Sequence, residues 1–130
     1  MSDFGIYPLL PTYIELETST YGNRTCTWCP NGYYDRGRTQ TLIDDNLFNK
    51  IVGDIKKAGF DGTIALHNYN EPLYDPKLEE RIQVVNQELE ARIAILTNGD
   101  ILTPEKVTVL DEAGVDFLRV TLYWAIKLDP

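Results

Sequence analysis

Strand-like and helix-like runs alternate along the chain, and this alternation is the feature that most constrains the fold. The β-favouring runs cover residues 13–17, 63–67, 92–97 and 117–122, with a run of helical periodicity before each of the last three. Connections of this length are typical of parallel strands joined by right-handed crossovers. The sequence therefore predicts an α/β fold, a partial (β/α) TIM-type barrel of about four parallel strands and three helices, in a single domain over residues 1–130.

Each predicted helix has a start signal, and two of them have a stop signal. The predicted N-caps are Asp44 or Asp45, then Asp75, then Thr103, and the last two are each followed by proline. Gly59 and Gly114 supply left-handed stops for the first and third helices. Both stops lie in an Ala-Gly-x-Asp joint (58–61 and 113–116), which indicates a repeated βα unit.

Polar side chains follow the ends of the predicted strands. In parallel α/β folds the ligand site lies where the carboxyl ends of the strands meet. The residues at these ends are Cys26, Trp28 and Cys29 after the first strand, Asn70, Glu71 and Pro72 after the second, Thr97 and Asn98 at the third, and Thr121 at the fourth. The topology therefore predicts one site built from four separate segments.

Charge and composition exclude several classes of protein. The net charge is −8, which argues against non-specific binding to nucleic acid or to an anionic membrane. No apolar run approaches the ~20 residues of a membrane helix. The N-terminus does not have the pattern of a secretory signal, so we expect a cytoplasmic protein.

The chain has two cysteines, Cys26 and Cys29, in a CxxC arrangement. Metal or cluster binding, free loop thiols and a redox dithiol all fit a CxxC pair. The redox-dithiol interpretation is the weakest, because a thioredoxin-like pair needs a helix that begins at the first cysteine. Here Pro30-Asn31-Gly32 would break such a helix. His67, the only histidine, is either a strand residue or a replacement metal ligand.

The stretch 22–30, GNRTCTWCP, resembles the CxxxCxxC loop of radical S-adenosylmethionine (radical SAM) enzymes. Asn23, Cys26, Trp28 and Cys29 stand at matching places, whereas the first cysteine of the pattern is replaced by Gly22. The run 66–73, LHNYNEPL, resembles the family's GGEP region with both glycines replaced, and 96–99, LTNG, is similar to its third strand end.

The resemblance implies a 4Fe–4S cluster, S-adenosylmethionine as cofactor and reductive cleavage to a 5′-deoxyadenosyl radical acting on a small-molecule or peptide substrate. Cys26 and Cys29 would be cluster ligands. The residues implied to line the cofactor site are Trp28, Asn70, Glu71, Pro72, Thr97, Asn98 and Thr121. Thiolates are the usual ligands of such clusters and the family pattern supplies three, so Gly22 implies an incomplete or shared cluster.

The family's barrel continues past a fourth strand, so the resemblance implies a truncated domain with an open edge at strand four. An open edge favours pairing with another chain, and a homodimer could also share a metal site between two CxxC pairs. The alternative function is a catalytically degenerate radical SAM-like binding or scaffolding subunit, which Gly22 and the short length both favour.

Overall fold

A computed structural model describes residues 10–34 and 40–122, and its parallel sheet determines where the candidate site lies. The strands are β1 (Tyr13–Glu15), β2 (Thr63–Ala65), β3 (Arg92–Thr97) and β4 (Phe117–Val120). They lie side by side in chain order and every pair is parallel. Ile14, Ile64 and Ile93 form one row across the first three strands. The predicted α/β architecture of four parallel strands and three helices, a partial TIM-type fold, is confirmed.

The helices are α1 (Asp45–Lys57), α2 (Leu78–Glu88) and α3 (Pro104–Ala113). Asp44 caps α1 by accepting hydrogen bonds from the backbone N–H groups two and three residues on. Thr103 caps α3 in the same way through Lys106 N–H, and Gly114 ends the helix at φ 103°. Asp44, Thr103 and Gly114 each act on backbone groups only a few residues away, and all three predictions are confirmed.

The predicted start of α2 at Asp75-Pro76 is wrong by two residues. Asp75 ends a short 3-10 helix, Pro72–Tyr74, and its Oδ1 accepts a hydrogen bond from Lys77 N–H at 2.9 Å. Its other oxygen lies 3.2 Å from Nε of Arg81, and both side chains are buried. Asp75 therefore lies in the turn before α2, where one carboxylate oxygen accepts from Lys77 N–H and the other pairs with Arg81.

The hydrophobic core lies between one face of the sheet and the helices. Its sheet side is formed by Ile64, Leu66, Ile93 and Ile95, and its helix side includes Val52, Leu78, Ile82 and Leu110. Two residues on the predicted apolar stripes, Leu47 and Val107, are 49% and 40% exposed. Helical spacing indicates which side chains could be buried, and only the packing of neighbouring elements decides which of them are covered.

Three strands are shorter than predicted. β1, β2 and β4 each end two residues early, and the chain beyond those ends forms the rim of a cleft. Among the residues that the structure describes, no helix is long and apolar enough to cross a membrane.

Candidate functional site

A cleft of about 330 Å³ lies at the carboxyl ends of the strands. The predicted site residues that line it are Cys26, Trp28, Cys29, Asn70, Glu71, Thr97, Asn98 and Thr121. Pro72 does not line the cleft; it is buried at the start of the 3-10 helix that follows Glu71. The segments meet there because parallel strands direct their carboxyl ends to one edge of the sheet.

The cysteine loop is held in a tight turn. Cys29 N–H donates a hydrogen bond to the Cys26 carbonyl at 3.0 Å, and the 3-10 helix Pro30–Gly32 follows at once. A Cβ at Gly32 would lie 2.5 Å from the Cys26 carbonyl oxygen, so only glycine fits at this close approach. Both cysteines are free thiols and are half-buried at the cleft, whereas Trp28 between them is 57% exposed.

Glu71 connects the ends of β2 and β3. Its buried carboxylate accepts hydrogen bonds from the Thr97 hydroxyl, from Asn98 N–H at 2.9 Å and from Leu73 N–H at 3.3 Å. The backbone N–H of Glu71 donates to the Tyr21 carbonyl at 2.8 Å, and this bond connects the start of the cysteine loop to the same residue. Glu71 therefore connects three rim segments, the end of β3 through its carboxylate and the cysteine loop through its backbone N–H.

A model of the radical SAM superfamily matches residues 16–123. The chain belongs to the radical SAM superfamily. It is 33% identical over 115 residues to the S-adenosyl-L-methionine-dependent 2-deoxy-scyllo-inosamine dehydrogenase of Niallia circulans, covering 88% of this chain and 46% of that protein. It is 28% identical over 110 residues to the tungsten-containing aldehyde ferredoxin oxidoreductase cofactor-modifying protein of Pyrococcus furiosus, covering 85% of this chain and 30% of that protein.

Solved structures of BtrN have the same fold. The crystal structure of BtrN in complex with AdoMet and 2-DOIA has a TM-score of 0.79 at 31% identity, covering 85% of this chain and 45% of BtrN. Selenomethionine BtrN in an open conformation has a TM-score of 0.80 at 31% identity, covering 90% and 52%. The chain thus spans about half or less of the relatives that it matches.

Membership of the radical SAM superfamily implies a 4Fe–4S cluster and S-adenosylmethionine, and the loop fits this cluster in part. Cys26 and Cys29 provide two thiolates. At the first position of the CxxxCxxC pattern, a Cβ on Gly22 would lie 2.6 Å from Nδ2 of Asn31 and 3.3 Å from the Tyr69 carbonyl oxygen. The Asn31 amide donates to that carbonyl at 2.7 Å, so its side chain occupies the space of the missing cysteine.

His67 does not complete a metal-ligand set. It lines the cleft beside the cysteine loop, but no group of three or more His, Cys, Asp or Glu side chains among residues 10–34 and 40–122 could hold a metal ion. A role for His67 as a replacement metal ligand beside Cys26 and Cys29 stays a prediction.

A hydrogen-bonded network that the sequence did not indicate joins the cysteine loop to the loop after β3. Asp100 accepts two hydrogen bonds from Arg24 and one, at 2.8 Å, from the Asn23 amide. Asn98 donates to Asn23 Oδ1 at 2.7 Å, and its own Oδ1 accepts from Asp100 N–H at 2.9 Å. The Arg24 hydrogen bond lowers the pKa of Asp100 below its ordinary value. Asn23 and Arg24 lie more than seventy positions from Asn98 and Asp100 in the chain, so no local sequence signal reveals these contacts.

Proposed function

We propose that this chain binds S-adenosylmethionine in the cleft and takes part in radical SAM chemistry with a 4Fe–4S cluster held in part by Cys26 and Cys29. The observation that carries the proposal is the meeting of the CxxC loop with Glu71, Asn98 and Thr121 around one cleft of about 330 Å³. That volume is within the range of small-molecule sites. When bound, the reduced cluster supplies the electron that cleaves S-adenosylmethionine to the 5′-deoxyadenosyl radical.

The chain's own residues bind and orient the cofactor in this proposal. Trp28 exposes a ring against which an adenine base can stack. Thr121 offers a side-chain hydroxyl after β4, and the Asn98 amide, already bonded to Asn23 and Asp100, retains a second N–H. The Glu71 carboxylate accepts three hydrogen bonds within the protein, so it acts by holding the rim in shape.

A small molecule with several hydroxyl groups is the proposed substrate class. The support is the 33% identity to a dehydrogenase named for a cyclitol amine, 2-deoxy-scyllo-inosamine. The net charge of −8 disfavours nucleic acid and anionic membranes as partners. We also propose a cytoplasmic location, because free thiols at the cleft suit a reducing compartment.

The test is anaerobic reconstitution with iron and sulfide. S-Adenosylmethionine binding is then measured by calorimetry, and 5′-deoxyadenosine is measured after adding dithionite. The informative variant is Gly22→Cys, in which Asn31 must move to admit the new side chain. Gly53→Cys is the matched control, because a Cβ there meets no described atom within 4 Å and the residue does not line the cleft.

We expect Gly22→Cys to bind more iron and to form more 5′-deoxyadenosine than the unmodified chain, with Gly53→Cys equal to the unmodified chain. Failure of all three proteins to bind S-adenosylmethionine would overturn the proposal. The role of the missing thiolate would be refuted if Gly22→Cys and Gly53→Cys behaved alike.

A catalytically degenerate binding or scaffolding subunit is the second candidate. The observation that favours it is the Asn31 carboxamide in the space of the missing first cysteine, since this arrangement closes the loop without a ligand. This candidate predicts that S-adenosylmethionine binds while neither the unmodified chain nor Gly22→Cys produces 5′-deoxyadenosine. The two candidates therefore separate on one pair of measurements.

A further inference from the structure

His67 and Asn70 have polar atoms beside the cleft for which the described part of the chain provides no hydrogen-bond partner. The two residues are only 8% and 7% exposed, and both line the cleft. Among the described residues, neither His67 Nε2 nor Asn70 Nδ2 has a hydrogen-bond partner. Buried polar groups nearly always form hydrogen bonds. Two unpaired polar atoms beside a cleft therefore indicate that a ligand provides their partners.

The neighbouring contacts determine whether each unpaired atom acts as a donor or as an acceptor. His67 Nδ1 faces the Asn68 carbonyl at 3.4 Å, and a carbonyl only accepts. The Nδ1–H tautomer makes this contact a hydrogen bond and leaves Nε2 as an acceptor. Asn70 Oδ1 accepts from Asn68 N–H at 3.0 Å, so the remaining Nδ2 is a donor. The pair presents one acceptor and one donor on the same short segment.

We infer that His67 and Asn70 bind a hydroxyl group of a ligand in the cleft. A hydroxyl group both donates and accepts hydrogen bonds, so it matches the acceptor of His67 and the donor of Asn70. Neutral imidazole and amide groups carry no charge to balance a buried ammonium or carboxylate, so an uncharged group fits them better. The inference rests on the proposed function in taking this cleft as the ligand site.

Two sources of hydroxyl groups share this chemistry, the ribose of S-adenosylmethionine and a polyhydroxylated substrate. His67 is the chain's only histidine, so a chain labelled with ¹⁵N in histidine gives a single imidazole to observe. The spectra are recorded at alkaline pH with S-adenosylmethionine alone, with 2-deoxy-scyllo-inosamine alone and with both. Calorimetry on the same samples shows whether each molecule binds.

We expect an Nδ1–H tautomer before addition and an upfield shift of the Nε2 resonance on binding. If S-adenosylmethionine alone produces the shift, the bound hydroxyl belongs to its ribose. If the shift requires 2-deoxy-scyllo-inosamine, the hydroxyl belongs to the substrate. Unchanged imidazole resonances in all three samples would overturn the inference. If calorimetry showed that S-adenosylmethionine binds while neither molecule shifted the imidazole resonances, the inference would fail and the proposed function would stand.

Substitutions test the donor and the acceptor separately. His67→Phe removes the acceptor, and His67→Gln restores one. Asn70→Asp keeps the Oδ1 that Asn68 N–H needs and removes the donor. Asn49→Asp, at an exposed position on α1, is the control for the change of charge.

We expect His67→Phe and Asn70→Asp each to weaken binding of the responding ligand about 5- to 10-fold, the effect of one lost hydrogen bond. His67→Gln should recover part of this affinity, and Asn49→Asp should have no effect. Thermal unfolding confirms that each variant is folded. Affinities equal to that of the unmodified chain in both folded variants would count against the inference.

Discussion

Glu71→Gln is the substitution that most directly tests how the rim of the cleft is held. The carboxylate is 5% exposed and accepts from the Thr97 hydroxyl and the Leu73 N–H on one oxygen and from Asn98 N–H on the other. Glutamine has the same shape but presents an NH₂ group at one of these two positions. One donor must therefore face another donor, and the remaining hydrogen bonds lose their charge.

The magnitude follows from these contacts. A hydrogen bond to a charged group contributes about 1.5–3 kcal/mol, and a donor left unsatisfied in the interior costs about as much. Relief of the desolvation of a buried carboxylate offsets part of this loss. We therefore expect Glu71→Gln to lower the free energy of unfolding by about 2 kcal/mol, equivalent to about 7 °C in the melting temperature of a domain of this size.

Urea unfolding followed by circular dichroism measures the change, with Glu88→Gln as the matched control. Glu88 forms a surface ion pair with Lys56 at 2.9 Å, and its side chain is 49% exposed. Its replacement should therefore change the free energy by less than about 0.5 kcal/mol. Equal effects of the two substitutions, or a more stable Glu71→Gln protein, would refute the view that this carboxylate holds the rim together.

Four further predictions concern other parts of the molecule. Asp44→Ala removes a cap that accepts two N–H groups and should cost about 1 kcal/mol in urea unfolding; an unchanged midpoint would contradict the capping role. Ile95→Ala should cost about 2–5 kcal/mol, since Ile95 is fully buried, and a smaller loss would mean that the core collapses around it. The lowered pKa of Asp100 means that its stabilising contribution is present above the ordinary aspartate pKa and is lost as the pH falls through the folded pKa. A carboxyl NMR titration should give a higher Asp100 pKa in Arg24→Gln, and equal values would exclude the Arg24 contact as the cause. We further propose that β4, an edge strand of the described sheet, pairs with a second copy, so native mass spectrometry should detect a dimer, and a monomer at all concentrations would exclude it.

Local signals in the sequence were sufficient to predict most of the secondary structure. Asp44 and Thr103 cap helices through atoms two or three residues away, and Gly114 adopts its left-handed conformation without help from distant parts of the chain. Strand and helix alternation determined the parallel topology, because connections of that length leave few other arrangements. The start of α2 was misplaced by two residues because residues 76–77 form a turn before the helix, which a capping pattern does not distinguish from a first helical turn.

For the cleft, the sequence by itself determined which residue types follow each strand and, through the family pattern, that one cysteine is missing. Only the tertiary structure decided that Asn31 fills the space beside Gly22 and that Arg24 is bound by Asp100. It also decided that His67 and Asn70 have atoms at the cleft that no residue within 10–34 and 40–122 pairs with. The physical reason is the separation along the sequence between the interacting groups. Capping and chain reversal depend on neighbours in the sequence, whereas occupancy of space and pairing of polar groups depend on segments brought together only when the sheet has formed.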